Sequence, residues 1–265
     1  MRDDLTALFV EAGERDPLKA AQRDMKRALP KKFYTAVGVE PVDGGFGLTL
    51  DGKPVRTPAR APLVAPTRAL AEALAEEWRR QGEQIDPADM PITRMVNTAL
   101  DGVAREMAAT AADIGKFAGS DLVCYRAGDP EGLVAAQQAA WGPVLDHFRD
   151  AHAARFICSE GVIFVEQPQD SRAAVERLVA REAGKPDGAL RLAALHVMTT
   201  LTGSVLIALA LIEGVIGFDA AWAAAHVDED HEMRLWGADE EAVARRAARL
   251  AEMRAAYELY AALAA

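Results

Sequence analysis

Residues Leu192 to Ile212 carry no formal charge, and this stretch does most to limit how the chain folds. It is roughly as long as a membrane-spanning helix, which needs about 20 apolar residues. Yet it contains His196, Thr199, Thr200, Thr202, Gly203 and Ser204, and no aromatic or basic belt follows it. At about 100° per residue, Leu192, Leu195, Met198, Leu201, Leu206, Ile207 and Leu211 point all round the axis. A helix apolar on every side is wrapped by other helices. The expectation is one helix over Leu190–Glu213 at the centre of a bundle, outside any membrane, with Gly203-Ser204 admitting a close neighbour.

Composition agrees. Aromatic residues make up only 6% while alanine is abundant, which favours helices packed through small side chains. The net charge of -10 argues against nucleic acid and anionic lipid as partners and suits a basic patch on a protein. The two cysteines, Cys124 and Cys158, form neither a zinc spacing nor a redox pair, and a reducing compartment fits them. Residues 1–30 have no long apolar stretch and no small-residue cleavage site, so they read as a helical or frayed arm and not as a secretory signal.

The pattern changes along the chain. Phe33 to Val39 is rich in strand-forming residues, Asp43-Gly44-Gly45 and Asp51-Gly52 are turn signals, and Pro54, Pro58, Pro62 and Pro66 exclude helix. Thr67 is placed to cap a helix running to about Gln81, with Leu70, Leu74 and Trp78 on one face. Helices are expected over Thr93–Phe117, Leu133–His152 (bent or started afresh at Gly142-Pro143), Ser171–Ala183, Phe218–Leu235 and Asp239–Leu263, with a strand or hairpin over 156–167 that could rejoin the first sheet. The fold class is therefore α+β: an arm over 1–30, a small antiparallel β-rich domain over 31–88, and a larger helical domain over 89–265.

Searches for catalytic chemistry fail. No phosphate-binding G-x-x-x-x-G-K-[ST] occurs, and Gly44-Gly45-Phe46-Gly47 lacks the third glycine of a dinucleotide fingerprint. There is no G-x-S-x-G, and Cys124 has no histidine near it in sequence. The densest polar run is His226-Val227-Asp228-Glu229-Asp230-His231-Glu232. One reading makes it a metal centre of an enzyme, since Asp228 and His231 have i, i+3 spacing, but no second such run completes a cage. Another follows from the wheel. Trp222, Ala225, Glu229, Met233 and Trp236 fall on one stripe of a continuous helix, with Glu229 in its middle and Asp228 beside it. A carboxylate on an apolar face needs a cation or donors if buried. An arginine of the same chain, such as Arg94, Arg126 or Arg191, would supply one; so would a base from a partner protein.

Several motifs occurring together and in order carry a resemblance. They are Lys32-Phe33-Tyr34, Leu50 to Pro58, Glu77-Trp78, Met90 to Ala99, Asp121 to Ala127, Thr200 to Ser204, and Ala221-Trp222 through Val227-Asp228-Glu229 to Asp239. Over residues 31–262 the chain resembles the F1-ATP synthase assembly chaperones that bind the α subunit, the assembly factor numbered twelve. The resemblance implies a β-rich domain followed by a helical one, no enzymatic activity, no bound nucleotide, and the F1-ATPase α subunit as partner; no metal or other cofactor is expected. It implies a cytoplasmic location in bacteria and the mitochondrial matrix in eukaryotic relatives. It assigns partner binding to Glu229 and Asp228, to which the wheel adds Trp222, Met233 and Trp236. The family often carries an aromatic–Gln pair where this chain has His231-Glu232. A scaffold for some other protein partner is the remaining alternative.

Overall fold

The computed structural model describes residues 29–264, so almost all of the expected arm lies outside the described residues. The chain forms two compact units, one reaching to Arg105 and taking back the residues from Ala261, the other spanning Glu106–Tyr260. The helix at Pro91–Asp101, expected to open the helical part, thus belongs to the first unit.

In the first unit β1 (Val37–Val42) pairs antiparallel with β2 (Gly45–Leu50), whose other edge takes β3 (Lys53–Pro54) and β4 (Val64–Ala65). Asp51 and Gly52 both have positive φ, 48° and 75°, as the tight hairpin between β2 and β3 requires. The Asp51 carboxylate accepts the backbone N–H groups of Ala36 and Thr35, which hold its pKa below the usual range. Gly45 has no room for a side chain, since a Cβ would stand 2.2 Å from the Ala65 carbonyl oxygen.

Helix α1 (Arg68–Arg80) packs on β1 and β2. Thr67 Oγ1 accepts the Leu70 N–H at 3.2 Å, the expected cap, and Leu70, Leu74 and Trp78 are buried. Helix α2 (Pro91–Asp101) has no capping side chain of its own. Glu77 of α1 performs that task. Its carboxylate accepts the N–H groups of Ile92 and Thr93 at 2.7 and 2.8 Å and the Thr93 hydroxyl at 2.7 Å. Free N–H groups at a helix start favour a negative charge, which explains a fully buried glutamate here.

The second unit is a helical assembly. Its elements are α3 (Met107–Lys116), β5 (Tyr125–Arg126), α4 (Glu131–His152), β6 (Ser159–Glu160), α5 (Gln169–Ala183), α6 (Gly188–Thr202), α7 (Val205–Ile212), α8 (Phe218–Ala225), α9 (Val227–Trp236) and α10 (Glu240–Ala262), whose end enters the first unit. The uncharged stretch does lie at the centre, with α7 buried among α4, α6 and α8. It is not one helix. Gly203 adopts a left-handed φ of 66° and ends α6, and Ser204 restarts the chain by accepting the Ile207 N–H at 2.9 Å. Among the described residues no helix is long and apolar enough to cross a membrane.

Two motifs distant in sequence meet at that break. Leu122 N–H donates to the Gly203 carbonyl at 3.2 Å, and Asp121 Oδ2 accepts the Leu206 N–H at 3.1 Å. Asp121 and Cys124 are fully buried, and burial pushes both acids up, the carboxyl to about 6. Cys124 therefore acts as an apolar filler and not as a nucleophile.

The segment 156–167 differs from expectation. Only Ser159–Glu160 is strand, and it pairs in parallel with Tyr125–Arg126 instead of rejoining the first sheet. Gln167 closes the base of the loop, accepting from Ile157 N–H and donating to its carbonyl, both at 2.8 Å. Helix α4 is continuous through Gly142-Pro143.

Candidate partner-binding groove

Alanines at helical spacing build a concave surface in the second unit. Ala136, Ala139, Ala140 and Pro143 line one wall from α4. Ala220, Ala223, Ala224 and Val227, at the same i, i+3, i+4, i+7 spacing, line the other from α8 and the start of α9. Small side chains on both walls leave a groove of about 870 Å³, closed along α9 by Asp230, Met233 and Arg234. Trp141 Nε1 donates to the Ala224 carbonyl at 2.7 Å and fixes the two walls together.

The single stripe expected through Trp222 and Trp236 does not exist, because the helix breaks at His226. His226 lies buried at the junction, where its Nδ1 meets the Trp222 carbonyl at 2.8 Å and its ring stacks on Trp222 at 3.9 Å. The five candidate residues stand in different surroundings. Trp222 is buried under its own chain. Asp228 accepts a hydrogen bond from Gln137 of α4 at 2.7 Å. Met233 borders the groove, with its sulfur 3.4 Å from Arg246 Nη1. Trp236, at the end of α9, is 86% exposed.

Glu229 points to solvent, its side chain 55% exposed, and does not line the groove. Its carboxylate stands 3.9 Å from His226 Nε2. Burial holds His226 below its ordinary pKa, and its Nδ1 proton goes to the Trp222 carbonyl, so Nε2 is bare at neutral pH and forms no ion pair. The arginines considered for it in this unit are engaged elsewhere: Arg126 over the Trp141 ring, Arg191 beside Glu182. Asp230, its neighbour, pairs with Arg246 of α10 at 2.5 Å and tethers α9 from the other side.

The run His226–Glu232 does not gather a metal-ligand set, since His226 faces the end of α8 while His231 lies against Gly132 of α4. Among the described residues the histidines and carboxylate that do converge are His147, His152 and Glu213. Both imidazole Nε2 atoms lie within 2.9 Å of Glu213 Oε2, and Arg181 donates to Oε1 at 2.6 Å. These bonds occupy both carboxylate oxygens and tie the end of α4 to the end of α7. Desolvation raises the Glu213 pKa, but its donors outweigh that and bring it to about 2. The groove and this lock were both missed in the sequence. The alanine spacing in α4 and α8 was the available signal for the first; nothing local signals the second, whose partners are far apart in the chain.

The family model of the ATP12 chaperone protein matches residues 31–149. A solved structure of a candidate chaperone from Agrobacterium tumefaciens is 50% identical, with a TM-score of 0.85 over 99% of this chain and 97% of that one. The structure of Atp12 from Paracoccus denitrificans is 40% identical, with a TM-score of 0.80 over 88% of this chain and 98% of that one. A mutant form of the same Paracoccus protein matches with a TM-score of 0.79 at 40% identity, over 88% of this chain and 97% of that one. With such identity over nearly the whole of these relatives, this chain belongs to the ATP12 chaperone family.

Proposed function

We propose that this protein is an assembly chaperone for the F1 sector of ATP synthase, that it holds the free α subunit until the β subunit takes its place, and that it makes or breaks no covalent bond. The observation that carries the reading is the groove between α4 and α8, whose apolar walls are open to solvent and bordered by a helix bearing an outward carboxylate and an outward tryptophan. An unassembled subunit exposes the apolar surface it will bury in the ring, and such surface aggregates. A concave apolar face with acidic flanks can cover that surface and then yield to a partner with a larger interface, so that exchange follows relative affinity without nucleotide.

Within this reading the five candidate residues have separate tasks. Glu229 and Trp236 contact the client, Met233 borders the groove, and Asp228 and Trp222 hold α9 and α8 in position. The test is Glu229→Lys. Because Glu229 is exposed and makes no internal ion pair, the variant keeps its helical circular dichroism and melting temperature, while protection of refolding α subunit from aggregation falls sharply. Full protection by the variant would remove Glu229 from the contact.

A further inference from the structure

Two exposed apolar segments leave the second unit at one end. Val162, Ile163 and Phe164 are 97%, 75% and 67% exposed, and Leu235 and Trp236 are 62% and 86% exposed. Their placement follows from the contacts around them. Strand β6 lies beside β5, and the Glu160 carboxylate sits 3.1 Å from where a Cβ on Gly128 would be, so the chain enters Val162 next to the residues that lead into α4. Helix α9 runs antiparallel to α4, with Asp228 at Gln137 and His231 at Gly132, so its last residues also reach the start of α4. Side chains this large and this open are held there without internal apolar cover, which a monomer avoids unless the surface is used. The Gln167 clamp keeps the first segment closed at its base.

The surroundings state the partner's chemistry. Asp129, Glu131, Glu160, Glu166 and Glu232 are exposed about these two segments. Arg126 is turned inward, donating to the Val123 carbonyl and covering Trp141, while exposed Arg234 sets one positive charge against these five carboxylates. The end is therefore apolar at its tips and acidic at its rim.

We propose that Val162–Phe164 and Leu235–Trp236 form a two-pronged contact that seats in an apolar cleft of the client polypeptide edged by basic side chains. The client is the α subunit of the function proposed above, and the inference rests on that reading. The prongs bury aromatic and aliphatic anchors, and the acidic rim steers encounter and fixes register.

The test uses the full chain in a light-scattering assay of α subunit diluted from denaturant. The triple variant Ile163→Ser, Phe164→Ser, Trp236→Ser should need at least tenfold more chaperone for half-protection, with unchanged melting temperature. Val162→Ser alone, at the most exposed position, should move the same way by a few-fold. Glu160→Gln with Glu232→Gln should flatten the salt dependence of protection. If wild-type protein fails to protect α, the function proposed above fails and this inference with it. If wild type protects and the triple variant protects equally, the prongs are overturned and the function stands. A wild-type dimer that the triple variant dissociates, with protection unchanged, would show that the prongs meet a second copy of this chain and would likewise overturn the proposal.

Discussion

Replacing Asp121 with asparagine should change the shape of the stability–pH profile more than its height. Asp121 is fully buried, and burial raises its carboxyl from 3.8 to about 6. A group whose folded pKa is raised contributes stability that is complete below the unfolded pKa and is lost as pH rises through the folded one. The window is thus about pH 4 to 7. A difference of about 2 pKa units at about 1.36 kcal/mol each makes the loss about 3 kcal/mol. Asparagine does not titrate. It keeps one acceptor for either the Val123 or the Leu206 N–H and opposes the other with its own amide, a penalty of about 1–3 kcal/mol that is the same at every pH. Urea unfolding measured at intervals from pH 4 to 8 reads both effects. The wild-type free energy should fall across the window relative to the variant, and the two should draw closer toward pH 8. Glu213 works in the opposite sense at lower pH, since its pKa of about 2 means that its contribution is present above 4.5 and lost as pH falls toward 2. Parallel profiles for wild type and variant between pH 4 and 7 would refute the reasoning, because they would mean that Asp121 titrates alike in the folded and unfolded chains.

Two further changes test the fold directly. Glu77→Ala strands three buried donors at the start of α2, at about 1–3 kcal/mol for each group left unsatisfied, so the midpoint of urea unfolding should drop by an amount worth at least about 3 kcal/mol; a loss under about 1 kcal/mol would mean that another group caps α2. Gly203→Ala should cost about 1–2 kcal/mol through backbone strain alone, since the new Cβ would meet only Leu122 Cβ at an ordinary 3.9 Å; differential scanning calorimetry showing no fall in melting temperature would contradict the left-handed cap.

Reading the chain residue by residue succeeded wherever one element's own atoms decide the outcome. The Thr67 cap, the Asp51-Gly52 hairpin and the burial of Leu70, Leu74 and Trp78 depend on neighbours within a few positions. Reading failed at His226, where a stripe that looks continuous on a helical wheel is cut by an imidazole bonded to the Trp222 carbonyl and stacked on its ring. It failed again at Val162–Phe164, whose strand-like composition finds no edge to pair with and stays exposed.

What the amino-acid order settled alone was the class of the fold and the central place of the uncharged stretch, because turn chemistry, capping and apolar periodicity are short-range; the family rested on the resemblance of several motifs in order. The break at Gly203-Ser204 was offered locally, but its reason lies in Asp121, far away in the chain and nearby in space. The groove is likewise a tertiary product. Each alanine row is an ordinary helix face until Trp141 ties one to the other. Where Glu229 points goes with the break at His226, which a helical wheel drawn through this segment does not contain.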